Sequence, residues 1–374
     1  MNADHYIDID RGKTLAEEPA KGHNRWDPDI EPVVEVGEGQ VVGIETRDAF
    51  DGQIEPTSDS ASVGACDLNL VHPLTGPVYV DGAEPGDMLE VSVLEVAPEP
   101  FGFTVQVPGF GFLRDVFTDP YIVRWKIADG LATSEDLPGV TIPGAPFMGV
   151  IGNAPSRELL DEIDARERAL AAEGGAVLLA DAAGAIPANP KIANRAMRTV
   201  APHECGGNLD IKQFTKGTTI RIPVYVPGAL FSVGDAHFAQ GDNESCGTAV
   251  EMASTFYGSF SLKKGEAAAR NLRDVEFYCD DYFAPAEHAA PRRFFATTGQ
   301  SCTREGVARS EDVTLAARNA LLNMIDHLVD VRGFSAQQAY AICSVAVDLR
   351  ISELVDVPNM VVSALLPLHI FSEA

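Results

Sequence analysis

Apolar and polar residues alternate with a period of two in several stretches of the chain. In Met88–Val96, Leu89, Val91 and Val93 alternate with Glu90 and Ser92, the pattern of a half-buried strand. Val33–Val36 and Val41–Thr46 are predicted strands separated by the turn signal Gly37-Glu38-Gly39, and Pro77–Asp81 is a third. Thr219–Val226 alternates weakly and stops at Pro227-Gly228. Val250–Leu262 places Val250, Met252, Ser254 and Phe256 on one side. A helical period appears in Arg157–Glu173 behind the cap Ser156, through Leu159, Leu160, Ile163 and Leu170. Two more helices are predicted near the C-terminus. One starts at Ser310 and runs to Val331 before Gly333; the other is capped by Ser335 and runs to about Leu354, with Ala339, Ile342, Cys343 and Ala346 on one face. Gln53–Asp67 reads as a loop, and 97–155 as Gly- and Pro-rich strand and loop. The rings of Phe101, Phe103, Phe110, Phe112 and Phe117 lie there, with core packing as the first reading and a pocket wall as the second. Strand blocks followed by a helical pair predict an α+β fold, mainly β. The expected division is a β-rich 1–155 and a 156–374 block with the helices, the two halves sharing one active site.

Composition narrows the function. The chain has 374 residues, 45% hydrophobic and 22% charged, enough to bury a large core. The formal charge is −27, so a nucleic-acid or anionic-membrane partner is not expected, because phosphate binding needs concentrated positive charge. The six cysteines are scattered with no C-x-x-C pair, which points to reduced thiols and a cytoplasmic protein. Neither a secretory leader nor an apolar run long enough for a membrane span is evident.

The densest chemistry lies in Gly234–Glu244, where Asp235, His237, Asp242 and Glu244 bring an imidazole and three carboxylates together. Asp235 with His237, and Asp242 with Glu244, are spaced i, i+2, so in extended backbone each pair projects to one side. Mixed nitrogen and oxygen ligands suit zinc or a similar divalent ion. An acidic surface turn is an equal alternative on spacing alone. Cys66–Pro73 offers Asp67, Asn69 and His72, and His203–Asp210 offers paired glycines with Asn208; for each, a plain turn is the simpler reading. Gly12-Lys13-Thr14 lacks the upstream glycine of a phosphate-binding loop, and no G-x-S-x-G elbow is present.

Those runs carry a resemblance. Gly206–Asp210, Val226–His237, Gln240–Glu251 and His72–Asp87 closely resemble the acetamidase/formamidase family. Thr46-Arg47-Asp48 with Asp51-Gly52-Gln53 looks like its formamidase-type members, and Asp348–Asp356 resembles its helical tail. The resemblance implies hydrolysis of small aliphatic amides such as formamide or acetamide, with γ-lactam ring opening as the alternative. It also implies a β-sandwich or jelly-roll-like core, a divalent metal site and a homo-oligomer. The positions carried over are Asp67, Asn69, His72, Asp235, His237, Gln240, Asp242 and Glu244. On this basis Asp67, Asp235 and His237 are expected to hold Zn²⁺, with His72 as a further ligand. Glu244 or Asp242 would be the general base, while Asn69, Asn208 and Gln240 would orient the amide. The competing readings are a thiol amidase using Cys246 or Cys279 and a non-catalytic β-module that binds metal or a small ligand.

Overall fold

The computed structural model describes residues 1–280, 291 and 293–372. The fold is α+β and mainly β, as the period-two stretches predict. Its backbone is an antiparallel pair of long strands, Met88–Gln106 and Glu251–Lys263, matched along nearly their whole length with two register shifts. Val41–Thr46 pairs with the other edge of Glu251–Lys263. Thr218–Pro223 and Tyr121–Ala128 pair with the two ends of Met88–Gln106. Met88–Gln106 was expected to end at Val96. It continues because Pro98 lies near a register shift, where an irregular ladder tolerates the missing N–H.

Phe231–His237 places the chemistry. It pairs with Phe147–Gly152 and, at its end, with Glu251–Lys263, while Leu74–Val80 pairs with its beginning. Strands from before and after residue 155 therefore share one sheet, and one apolar cluster extends from Ile7 to Ile370. Ser156 caps the helix Arg157–Ala172 through Leu159 N, and Leu159, Leu160 and Ile163 bury against Trp26, Leu74 and Val150.

At the C-terminus, the helix Val313–Arg332 is capped by Asp312 and packs on the sheet of Phe294–Gln300, Asp348–Glu353 and Val361–Pro367. Ser335 caps the next helix, but that helix stops at Ala346 rather than near Leu354. Asp348–Glu353, expected to be helical, is a strand paired with Val361–Pro367. The ladder satisfies its backbone, and the buried Asp348 carboxylate is fixed by Lys212 and by Asp242 N. Tertiary pairing overrides the helical pattern there. Among the described residues no helix is long and apolar enough to cross a membrane.

Candidate active site

His237 and Glu251 face each other across an antiparallel register, so their side chains leave the sheet on the same side. His237 Nε2 lies 3.3 Å from Glu251 Oε2, 3.3 Å from Asp235 Oδ1 and 3.7 Å from Glu244 Oε1. Two groups of ligand-type atoms, each within 4.8 Å of one another, share this imidazole: Asp235, His237 and Glu251, and Asp210, His237 and Glu244. His72 stands behind, with Nε2 4.0 Å from Asp235 Oδ2.

Local backbone makes this convergence possible. Asp235 sits inside a strand at φ +55°, a conformation that non-glycine residues rarely adopt, and Glu244 and Asp210 are also left-handed at +47° and +48°. The register steps from Met148↔Ala236 to Val150↔Gly234, placing Gly149 opposite Asp235. A Cβ on Gly149 would lie 2.6 Å from Asp235 Oδ2, 2.7 Å from Asp210 Oδ1 and 2.8 Å from His237 Cε1. Its carbonyl accepts from Leu209 N and Asp210 N, which anchors the Asp210 turn to the strand. Glycine is required here for the room it leaves.

Gln240 sets the imidazole. Its Nε2 donates to Asp210 O at 2.8 Å, so its Oε1 is the atom 2.9 Å from His237 Nδ1. The network therefore assigns a proton to Nδ1 and leaves Nε2, set among carboxylate oxygens, as the atom that takes either a cation or a second proton. His237 Nε2, Glu251 Oε2 and Asp210 Oδ1 are buried without hydrogen-bond partners. The electrostatics carry the same mark. Burial pushes Asp210 up to about 7 and Glu251 up to about 8, and holds Glu244 well above the usual carboxylate range. Burial also opposes ionisation of Asp235 and His237. For Asp235 the charges of His72 and His237 outweigh it and hold the carboxyl low; for His237, Glu251 and Asp235 outweigh it and hold the imidazole high. Four carboxylates, Asp235 and Glu251 buried and Asp210 and Glu244 half-buried, converge on two imidazoles, a site short of positive charge.

A cavity of about 50 Å³ borders the cluster. His72, Asn208, Asp235, Glu244 and Glu251 line one side, and Phe50, Val71 and Val107 are on the apolar side. Asn208 Nδ2 donates to Val200 O, while its Oδ1 is buried without a donor.

Of the residues expected at the site, His72, Asp235, His237, Gln240, Glu244 and Asn208 come together. The structure does not bring in the other three. Asp67 is exposed, its carboxylate accepting from Asn69 N in a turn near Arg25 and Arg198. Asn69 belongs to that turn, and its carbonyl accepts from Arg25. Asp242 borders a separate cleft, where Gln213 and Lys212 reach its carboxylate. The i, i+2 argument fails for Asp242 and Glu244 because that segment is a turn, not a strand. Sequence reasoning missed Glu251 and Asp210. The signal for Glu251 is the one carboxylate of its strand, placed at the strand's start. Cys246 is buried, its thiol raised by burial, and Cys279 sits on the strand Glu276–Cys279; neither lines the cavity.

Comparison with known proteins fits this geometry. A family model described as the Acetamidase/Formamidase family matches residues 8–373. An acetamidase of Mycolicibacterium smegmatis is 35% identical, covering 89% of this chain and 87% of its own. A formamidase of Methylophilus methylotrophus is 34% identical over 98% and 93%. Among solved structures, a gamma lactamase from Delftia acidovorans superposes with a TM-score of 0.93 at 34% identity, covering 99% of this chain and 94% of that one. With a whole-length family match and close relatives spanning nearly all of both chains, the chain belongs to the acetamidase/formamidase family.

Proposed function

We propose that this chain hydrolyses the C–N bond of small amides, using a divalent cation, Zn²⁺ by its mixed donor set, held by Asp235, His237 and Glu251. The observation that carries the reading is His237 Nε2, 3.3 Å from both Asp235 Oδ1 and Glu251 Oε2, with Nε2 and Glu251 Oε2 buried without hydrogen-bond partners. A cation between them would compensate the charge, and one nitrogen with carboxylate oxygens is a fitting donor set. Bound there, it would supply Lewis-acid polarisation of the amide carbonyl and lower the pKa of attacking water.

The chain's own residues account for the remaining chemistry. Burial raises both Glu244 and the adjacent Asp210, with the Asp210 charge adding to the rise at Glu244 and the Asp235 charge to that at Asp210. Glu244, on the cavity wall, takes the proton from water and returns it to the departing nitrogen. Asn208 Oδ1 accepts from the amide N–H and so fixes which face of the carbonyl is attacked. Gln240 positions His237, and His72 Nε2 stands 4.0 Å from Asp235 Oδ2.

The family and the acetamidase and formamidase relatives favour short linear amides. The superposition with the gamma lactamase favours a cyclic amide as the second reading. Ammonia release from formamide and acetamide, and amino-acid formation from a γ-lactam, before and after chelation, with metal content measured on the same samples, test the proposal. The expected result is turnover that follows metal content. Full activity in protein stripped of metal would overturn it.

A further inference from the structure

The space beside the cluster is small, yet it adjoins a cleft of about 1250 Å³. Phe110, Leu178, Val200, Asn208, Glu244 and Gly247 border both spaces. Asn208 and Glu244 face the cluster. Among the others, Phe110 has the largest side chain.

Several contacts fix the Phe110 ring relative to Glu244. It lies against Gly247, where an added Cβ would stand 2.6 Å from Phe110 Cδ1. Phe110 N closes a turn onto Val107 O at 3.0 Å. Phe112 N donates to Ser245 O at 2.9 Å, and Leu113 N donates to the buried Tyr340 hydroxyl. Gly111 adopts φ +90°, and a Cβ there would lie 2.7 Å from Cys246 O, so the loop can approach the 244–247 turn only with glycine at that position. Phe110 remains 37% exposed: part of its ring is open while the rest walls the chamber.

The chamber's volume defines its occupant. A water-sized group needs roughly 10–15 Å³ of this kind of volume. About 50 Å³ therefore takes only a few non-hydrogen atoms, the size of formamide or acetamide. A longer acyl chain or a fused lactam ring has to pass the plane of Phe110 into the outer cleft.

Building on the amidase reading, we infer that Phe110, seated on Gly247 between chamber and cleft, sets the upper size of the acyl group that this enzyme accepts. Leu178 completes the same partition. Each methylene excluded or admitted by an apolar wall changes the specificity constant by roughly 10–200-fold.

The test measures kcat/KM for formamide, acetamide, butyramide and a bicyclic γ-lactam on the native holoenzyme, F110A and F110W, with formamide as the internal reference for each enzyme. In the native enzyme, kcat/KM is expected to fall steeply beyond acetamide. In F110A the butyramide-to-formamide ratio should rise at least ~10-fold, as one methylene admitted to the pocket would give. F110W should lower the acetamide-to-formamide ratio. If F110A does not fold, F110L and L178A carry the test, with rises in the same direction. Native turnover with ratios unchanged within twofold in every folded variant would overturn the assignment of Phe110 and leave the amidase reading standing. Native protein that hydrolyses no member of the panel, by ammonia release from the linear amides or amino-acid formation from the lactam, would overturn the amidase reading itself, and this assignment with it.

Discussion

Gly149 shows how much of the site depends on an atom that is not there. Its neighbours at 2.6–2.8 Å are the ends of three polar side chains, not backbone, so an added methyl group displaces the cluster before it displaces the sheet. Gly149→Ala should therefore fold, with near-native circular dichroism, while metal affinity falls by ~10–100-fold, as for other losses of ligand positioning. Ammonia release should fall with it. Metal titration of the variant checks this, and unchanged affinity would mean that the side chains need not converge. A second residue-scale prediction concerns stability. His23 is buried, its ring nitrogens facing Arg25 O at 2.6 Å and Ser232 Oγ at 2.8 Å, and burial pushes it down from 6.5 to about 4. The unfolded chain takes up this proton near pH 6.5 while the native state waits until about 4. Its contribution is thus complete above pH 6.5 and is lost as pH falls to 4, by ~3 kcal/mol at 1.36 kcal/mol per unit. Asp48 and Asp51, each raised to about 6 by burial, titrate with the opposite sign, so the native curve alone does not isolate His23. The difference between native protein and His23→Gln does: urea unfolding at pH 7, 5.5 and 4 should show the gap closing as the pH drops.

At the scale of elements, the C-terminal helix Ala336–Ala346 braces the turn that carries Glu244. Tyr340 donates to Ser245 O and accepts from Leu113 N. Ser344 Oγ accepts from Cys246 N at 3.1 Å and donates to Thr248 O at 2.7 Å. Tyr340→Phe leaves a buried N–H and a buried carbonyl without this partner, which costs about 1–3 kcal/mol. Denaturant unfolding should show that loss, with the slope m unchanged. Because the brace ends one residue from Glu244, kcat should fall while metal content stays. A loss of stability with native kcat would mean that the helix supports the fold but not the base. This coupling was not legible in the sequence. Ser335 announced the helix, and the facing positions Ala339, Ile342 and Cys343 announced its buried side. Nothing local, however, links residue 340 to 245. The same limit explains Asp348–Glu353, where a long-range ladder decided the structure. Asp235 and His237 were legible because both lie on one strand, and i, i+2 is a local geometry. Glu251 entered through cross-strand register and Asp210 through a bond to Gly149 O, and neither follows from spacing. Asp67 was misplaced for the converse reason: its local motif suggested a ligand, but the chain turns it toward Arg25 and Arg198.

For the whole molecule, the ligand-type groups come from separate stretches of chain: the Asp210 turn, the strand ending at His237, the turn at Glu244 and the start of the strand at Glu251. An unfolded chain holds these groups far apart, so a cation that needs them together binds the native state alone. Linkage then converts occupancy into stability, about 2.7 kcal/mol at a free metal concentration one hundred times Kd. The carboxylates give the effect its direction. Without a cation, burial and mutual repulsion oppose their ionisation, as the raised values of Asp210 and Glu251 show, and stripping the metal restores that cost. Thermal unfolding should therefore fall by several degrees on exhaustive chelation and recover on adding Zn²⁺, with a midpoint that climbs with metal concentration. Asp235→Asn should lose most of this dependence, whereas Asp67→Asn, altering a carboxylate engaged in a surface turn, should keep it. If both variants respond to zinc as the native protein does, the cation binds elsewhere, and the cluster around His237 is held together by a proton rather than a metal.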